Sequence, residues 1–216
     1  MSTASLASPI RFYRFALSGH SHRVELFLSL LGLPVETVDV DLLNGAHKAP
    51  EFLARNPRGQ VPVIEDGNVT LADSTAILVY LAIKYAAPEW LPRDAEGAAR
   101  VQRYLSLASG EVASGPATAR LATLFKQSRD LSTAFATADG LLRLLEGELR
   151  ERAFLIGPHP TIADLACYTY IAHAPEGGIS LEDFPHLRGW LARIEALPGF
   201  VPMQSSAVGL RVGVAA

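Results

Sequence analysis

The sequence predicts a fold of the α/β plus all-α class, with a mixed domain followed by an all-helical one. Two observations support this. Short runs rich in β-branched and aromatic residues alternate with helical periodicity up to residue 86, whereas later apolar residues recur only at helical intervals. Between these halves, segment 87–94 contains Pro88 and Pro92, which is typical of a linker. We therefore expect domains at 9–86 and 95–216.

The first half opens as a strand, a helix and a second strand. Segment 10–15 has the aromatic and β-branched content of a strand. A helix from Ser21 carries an apolar face and ends at Gly32 and Pro34, and segment 35–40 alternates as a second strand. A strand–helix–strand unit of this length predicts a parallel strand pair with a right-handed crossover.

The rest of the first half predicts two helices and a hairpin. A short helix is expected at 48–55, and a longer helix at 73–85. Between them, strands at 61–65 and 69–71 flank Asp66-Gly67-Asn68, a sequence typical of a hairpin turn.

The second half predicts four helical stretches. The first, 95–125, has a candidate kink at Gly115-Pro116, and the second covers 131–152. Thr161-Ile162-Ala163-Asp164 resembles a capping box with Asp in place of Glu, so a helix should begin there. The last stretch covers 184–197.

Composition excludes several function classes. A net charge of −3 and a pI near 6.1 give no electrostatic footprint for nucleic acid. No apolar run approaches the roughly 18 to 20 residues that a membrane span requires. The single cysteine, Cys167, excludes an internal disulfide framework. The presence of only one cysteine and the lack of a secretory signal in residues 1–9 predict a cytoplasmic location. Neither a metal-ligand spacing nor a dinucleotide glycine pattern is present.

Two neighbouring features predict a site for a short peptide. Pro62 interrupts an apolar strand, which would leave the N–H and C=O groups of Val61 free to pair with an extended ligand. A Val–Pro bond is also one of the few that can be cis. Asp73 and Ser74 open a helix, where free N–H groups and a hydroxyl attract a carboxylate. A peptide edge beside a carboxylate pocket would suit a short peptide with a charged end.

The order and spacing of four motifs resemble a known family. Ser18-Gly19, Asn56-Pro57 with Val61-Pro62, the run 73–77 and the run 161–164 together match the cytosolic glutathione transferases. The resemblance extends over about residues 9–203 and is closest to the bacterial-type, serine-dependent branch. It implies a thioredoxin-like first domain, glutathione as co-substrate without a metal, and a homodimer.

The resemblance assigns the catalytic role to Ser18. A free thiol has a pKa of about 8.5, and a hydroxyl donor at the positive end of a helix would favour its thiolate. Tyr13 is the alternative, because other branches use a tyrosine near the end of the first strand. Its position within the strand favours a structural role instead. His20 would either contact the ligand or face solvent.

The resemblance also implies seven glutathione-binding residues: His47, Lys48, Gln60, Val61, Pro62, Asp73 and Ser74. The first three would hold the glycine end of the tripeptide, and the Val61 backbone would pair with its cysteinyl residue across a cis bond to Pro62. Asp73 would lie near the ammonium, and Ser74 would bind the γ-glutamyl carboxylate.

Three further residues are predicted to lie outside the chemistry. Arg23 is interpreted as a surface charge, although it could support the ligand region. Cys167 is expected to be a small buried side chain. Asp164 resembles the family's structural cap, so its loss should impair folding.

The implied reaction is conjugation of glutathione to a small hydrophobic electrophile bound between the domains. Ala16, Leu17 and the helix from Ala95 are expected to line this second pocket. Two alternatives stay open. The same site could serve a glutathione-dependent peroxidase, dehalogenase or disulfide reductase. The chain could also be a non-catalytic ligand carrier or interaction module of the same fold.

Overall fold

The structure, a computed structural model, describes residues 8–206. Its first part contains a four-stranded sheet in the order β2-β1-β3-β4. The strands are β1 (Ile10–Arg14), β2 (Val35–Asp39), β3 (Val63–Asp66) and β4 (Val69–Ala72). β1 pairs parallel with β2 and antiparallel with β3, and β3 and β4 form an antiparallel hairpin. The parallel pair and the hairpin predicted from the sequence are therefore confirmed.

Helices complete the first part and make up the second. They are α1 (Gly19–Leu30), α2 (Pro50–Arg55), α3 (Ser74–Tyr85), α4 (Ala95–Ser109), α5 (Thr118–Leu124), α6 (Ser132–Leu149), α7 (Ile162–Ala172) and α8 (Pro185–Glu195). The expected class, a thioredoxin-like domain followed by a helical domain, is confirmed. The exact division into 9–86, 87–94 and 95–216 stays a prediction. No helix of residues 8–206 is both long and apolar enough to cross a membrane.

Two helices differ from their predicted bounds for local reasons. α1 begins at Gly19, two residues before the predicted start, because the Ser18 side chain accepts a hydrogen bond from the Ser21 amide and caps the helix. The predicted helix 95–125 breaks after Ser109 and continues through a π-helical turn at Ala113–Ala117. Pro116, which lacks an amide hydrogen, lies in that turn.

Helix α7 is the centre of the helical domain, and every residue from Ile162 to Ile171 is buried. Its N-terminus is held by the predicted capping box, in which Asp164 accepts from the Thr161 amide at 2.8 Å. Asp164 also accepts from the Leu155 amide and the Trp190 indole, both at 2.9 Å. Asp164 thus has the structural role predicted for it, because its side chain joins α7 to α8 and to the preceding loop.

Two buried side chains join the sheet domain to the helical domain. His22 contacts the Thr169 hydroxyl at 2.9 Å and the Val201 carbonyl at 2.8 Å. Arg120 is fully buried, pairs with Glu176 and donates to the Leu17 carbonyl at 2.8 Å. Because Leu17 directly precedes Ser18, the helical domain fixes the loop that carries the predicted catalytic serine.

Candidate active site

A cavity of about 670 Å³ opens between the sheet domain and the helical domain. Seven of the eight predicted site residues line it: Ser18, His47, Gln60, Val61, Pro62, Asp73 and Ser74. Lys48 is exposed and does not line the cavity. Its ammonium would lie 2.9 Å from a β-carbon added to Gly59, a residue of the cavity wall. The cavity therefore brings the predicted residues together, with Lys48 just outside it.

Ser18 lies at the cavity wall as the N-cap of α1. Its Oγ is 3.2 Å from the Ser21 amide, from which it accepts a hydrogen bond. A hydroxyl has two acceptor positions and one donor hydrogen, so capping leaves the hydrogen available to a ligand. The capping role and the proposed catalytic role of Ser18 are therefore compatible.

The loop before β3 presents the backbone of Val61. The Val61–Pro62 bond is cis, as expected, and β-ladder pairing of β3 begins only at Val63. Within residues 8–206, neither the N–H nor the C=O of Val61 has a hydrogen-bond partner. Asn56 holds the loop, donating to the Gln60 carbonyl at 2.8 Å. A free donor and a free acceptor thus lie on one residue of the cavity wall.

Asp73 and Ser74 form the start of α3. Asp73 has a positive φ of 75°, an unfavourable backbone conformation for a residue with a side chain. Its Oδ1 accepts from the Thr75 and Ala76 amides at 2.9 and 3.1 Å. Partial burial opposes ionisation, but these bonds and one from the Thr75 hydroxyl outweigh it and lower the pKa of Asp73. Asp73 is therefore an anion at neutral pH.

Arg23 is buried, and the prediction of a surface charge is wrong. Only 1% of it is exposed, and its guanidinium donates to the Ser74 hydroxyl at 3.2 Å and to the Ala108 carbonyl at 3.4 Å. Its Nε has no partner among residues 8–206. Burial lowers the pKa of Arg23, yet a guanidinium stays protonated in proteins. The cavity wall behind Ser74 therefore carries a positive charge that pairs with no carboxylate of residues 8–206.

His20 lines the cavity and does not simply face solvent. Its Nδ1 lies 3.0 Å from an Arg23 guanidinium nitrogen and 3.4 Å from the Ser74 Oγ. Burial, together with the Arg23 charge, lowers the pKa of His20 to about 3. The imidazole is therefore neutral at physiological pH, and we assign Nδ1 as the acceptor because Arg23 can only donate.

The cavity also has an apolar side, formed by Leu17, Ala113, Leu121 and Phe125. Phe125 is 43% exposed. Ala16, which was expected here, is not among the lining residues. The contribution expected from α4 is limited to Ser109 at its last turn, because the helix breaks there and the π turn and α5 supply the apolar side chains.

Comparison with protein families identifies the chain. The family model described as glutathione S-transferase, N-terminal domain, matches residues 8–83, and the model for the C-terminal domain matches residues 112–198. The chain belongs to the glutathione S-transferase family. Human glutathione S-transferase theta-1 is 33% identical over 201 residues, which cover 88% of this chain and 84% of the human protein.

Solved structures of other family members have the same architecture. A glutathione S-transferase from Pseudomonas fluorescens superposes with a TM-score of 0.86 at 31% identity, covering 91% of this chain and 99% of that one. A glutathione transferase homologue from Drosophila mojavensis with bound glutathione has a TM-score of 0.78 at 27% identity. That comparison covers 88% of this chain and 89% of the other.

Tyr13, the alternative catalytic residue in this glutathione S-transferase, does not line the cavity. Its hydroxyl donates to Glu65 at 2.9 Å, its ring packs edge-on against Phe52, and Arg55 lies over the ring face. Burial and the Glu65 carboxylate raise the pKa of Tyr13. The structure thus supports the structural role that its position in the strand predicted.

Arg23 and Tyr170 are among the cavity residues of this family member that were not predicted as ligand contacts. Arg23 is one helical turn before the buried Phe27. Its position beside the apolar face of α1 was therefore the sequence signal that could have indicated its burial. Tyr170 comes from α7, which is buried all round and gives no periodic signal that distinguishes one side chain from another. Only the packing of α7 against α1 brings Tyr170 to the cavity.

Proposed function

We propose that this family member is a serine-dependent glutathione transferase that conjugates glutathione to a hydrophobic electrophile. The observation that carries the proposal is that Ser18, the unpaired backbone of Val61 and the Asp73-Ser74 helix start line one and the same cavity. A volume of about 670 Å³ lies within the usual range for small-ligand sites. The homologue from Drosophila mojavensis, whose structure holds glutathione, supports the choice of ligand.

The tripeptide would be held along one wall of the cavity. The Val61 backbone would exchange hydrogen bonds with the cysteinyl residue, as in the addition of one short strand. Asp73 would face the ammonium, and Ser74 would donate to the γ-glutamyl carboxylate with Arg23 behind it. At the other end, His47 and Gln60 would hold the glycine carboxylate, with Lys48 reaching in from outside the wall.

The thiol would lie at the N-terminus of α1, beside Ser18. The free hydrogen of Ser18 and the positive end of the helix both favour the thiolate. Each unit by which the thiol pKa falls corresponds to about 1.4 kcal/mol. The thiolate then donates an electron pair to the electrophilic carbon, a C–S bond forms, and the leaving group departs with the electrons of the broken bond.

The second substrate would bind on the apolar side, between Leu17 and Phe125. Glutathione-dependent peroxidase, dehalogenase or disulfide-reductase chemistry would use the same thiolate. Parallel assays with a chlorinated aromatic, a hydroperoxide and a mixed disulfide separate these reactions. We expect the chlorinated aromatic to be turned over. Binding of glutathione without turnover of any of the three would indicate a non-catalytic carrier and overturn the proposal.

The family resemblance also implies a homodimer and a cytoplasmic location, and both stay predictions. β4 is an edge strand, and Val69 on it and Ile83 on α3 are exposed apolar side chains. These features are compatible with an interface between copies.

Replacing Ser74 with alanine should weaken glutathione binding roughly 10- to 100-fold, because a hydrogen bond to a charged group contributes about 1.5 to 3 kcal/mol. The turnover number at saturating glutathione should change much less. Calorimetric titration and steady-state kinetics measure the two quantities. Ser132→Ala, at the start of α6 and outside the cavity lining, is the control and should leave the dissociation constant unchanged. An unchanged constant in Ser74→Ala would contradict the carboxylate role.

Replacing Arg23 with methionine should separate binding from folding. The buried guanidinium has no carboxylate partner in the described part of the chain, so an apolar side chain of similar length should leave the free energy of unfolding within about 1 kcal/mol. The dissociation constant of glutathione should nevertheless rise, since Ser74 and the ligand carboxylate lose a nearby positive charge. Wild-type affinity in a folded Arg23→Met protein would show that Arg23 has no part in the site.

A further inference from the structure

One tyrosine differs from all the others in its hydrogen bonding. The chain has six tyrosines. The hydroxyl groups of five donate to carboxylates at 2.6–2.9 Å: Tyr13, Tyr80, Tyr85, Tyr104 and Tyr168. The sixth, Tyr170, is only 2% exposed and lines the cavity. Its oxygen accepts from the Gly19 and His20 backbone amides, but its hydroxyl donates to no acceptor among residues 8–206. A buried side chain therefore presents an unused donor to the site.

The position of this hydroxyl is fixed by close packing against α1. A β-carbon added to Gly19 would lie 2.7 Å from the Tyr170 Cζ and within 2.9 Å of both Cε atoms. These three atoms form the hydroxyl-bearing end of the ring, so that end rests directly on the first residue of α1. Gly19 follows Ser18, and the Tyr170 hydroxyl is therefore beside the helix N-terminus where the thiol is proposed to bind.

Two cavity residues hold the ring on its other sides. The His20 ring packs edge-on against it with centroids 5.1 Å apart, and the Arg23 guanidinium lies 5.6 Å from its centroid. Burial raises the pKa of Tyr170, although Arg23, Arg120 and the His20 and Gly19 amides oppose the shift. The phenol therefore keeps its proton at neutral pH and is available as a donor to an anion.

We propose that the Tyr170 hydroxyl donates a second hydrogen bond to the glutathione sulfur, alongside the bond from Ser18. This inference rests on the proposed function, because it needs glutathione in the cavity. No proton is transferred: the phenol keeps its hydrogen, and the bond stabilises the thiolate formed when the thiol proton leaves to solvent. Tyr170 is then a catalytic residue from the helical domain, whereas the other proposed glutathione contacts come from the sheet domain.

Tyr170→Phe tests this directly, because phenylalanine keeps the ring against Gly19 and removes only the hydroxyl. The ultraviolet absorbance of bound glutathione thiolate is followed against pH. We expect the apparent pKa of the bound thiol to rise by about one unit, and kcat/KM at neutral pH to fall about tenfold. The lost activity should return at high pH, where the thiolate forms without assistance. Binding of S-methylglutathione, which has no ionisable thiol, should stay within twofold of the wild type.

Tyr168→Phe is the matched control on the same helix. Its hydroxyl is bonded to Glu195 and it does not line the cavity, so the bound thiol pKa should not change. A double variant, Ser18→Ala with Tyr170→Phe, should raise the thiol pKa further than either single change. Comparing the double variant with Ser18→Ala measures the contribution of Tyr170 when the Ser18 hydroxyl is absent.

The possible outcomes distinguish a failure of the Tyr170 role from a failure of the proposed glutathione transferase function. If the wild-type protein binds no glutathione, or does not lower its thiol pKa, the proposed function fails. If the wild type lowers the thiol pKa and Ser18→Ala raises it again, but Tyr170→Phe leaves it at the wild-type value, only the role of Tyr170 is overturned. A rise in the thiol pKa in Tyr170→Phe and not in Tyr168→Phe supports the second donor.

Discussion

Replacing Ser18 with alanine is expected to lower kcat/KM for glutathione conjugation by about one to three orders of magnitude, within the range for loss of one positioned donor. The reason is the single hydrogen of the Ser18 hydroxyl, which the capping bond from the Ser21 amide leaves free for the sulfur. Steady-state rates with a chlorinated aromatic substrate measure the change. The loss should shrink as pH rises, because solvent then removes the thiol proton unaided.

The same substitution removes the cap of α1, so the kinetic effect needs a structural control. Asp94 caps α4 through a 2.8 Å bond from the Gly97 amide and does not line the cavity. Asp94→Ala should lose a similar stability, about 1 kcal/mol, with no kinetic change. If Tyr13→Phe reduces turnover more than Ser18→Ala does, the assignment to serine is wrong.

Replacing Asp164 with alanine should reduce the free energy of unfolding by about 3 to 5 kcal/mol, the range for breaking a buried, fully bonded polar group. The change leaves the Trp190 indole and the amides of Leu155 and Thr161 without their acceptor in a fully buried site. Denaturant unfolding measures the loss. The fraction that stays folded should bind glutathione normally, because Asp164 does not line the cavity.

Asp139 is the matched control for this stability prediction. It is an exposed carboxylate on α6 that pairs with Arg143 one turn away. Such surface pairs contribute little, so Asp139→Ala should change the free energy of unfolding by less than about 1 kcal/mol. A comparably small loss in Asp164→Ala would show that the capping network around α7 is not needed for the fold.

The features predicted correctly from the sequence are those encoded locally. Strand–helix alternation, the hairpin turn at Asp66-Gly67-Asn68 and the capping box at 161–164 each depend on residues close together in the chain. The position of Ser18 at a helix start is also local, since a serine before an apolar helical run is a typical cap. These elements then bring most of the predicted site residues to one cavity.

The features that the sequence did not reveal depend on distant contacts. The burial of Arg23 needs Ser74 from α3 and the Ala108 carbonyl from α4, which no local pattern relates to residue 23. The Gly115-Pro116 pair lies in the π turn, as its predicted kink suggests, but α4 already ends at Ser109, which the sequence did not reveal. Tyr170 reaches the cavity only because Gly19 lets α7 approach α1.

The most direct test of the central claim is to titrate the thiol of glutathione bound to the wild-type protein. If Val61 and Ser74 bind the tripeptide with its sulfur at Ser18, the pKa of the bound thiol should lie well below the value of about 8.5 for a free thiol. In Ser18→Ala the same titration should move back toward that value. A saturable complex whose thiol ionises like free glutathione, or no complex at all, would contradict the account.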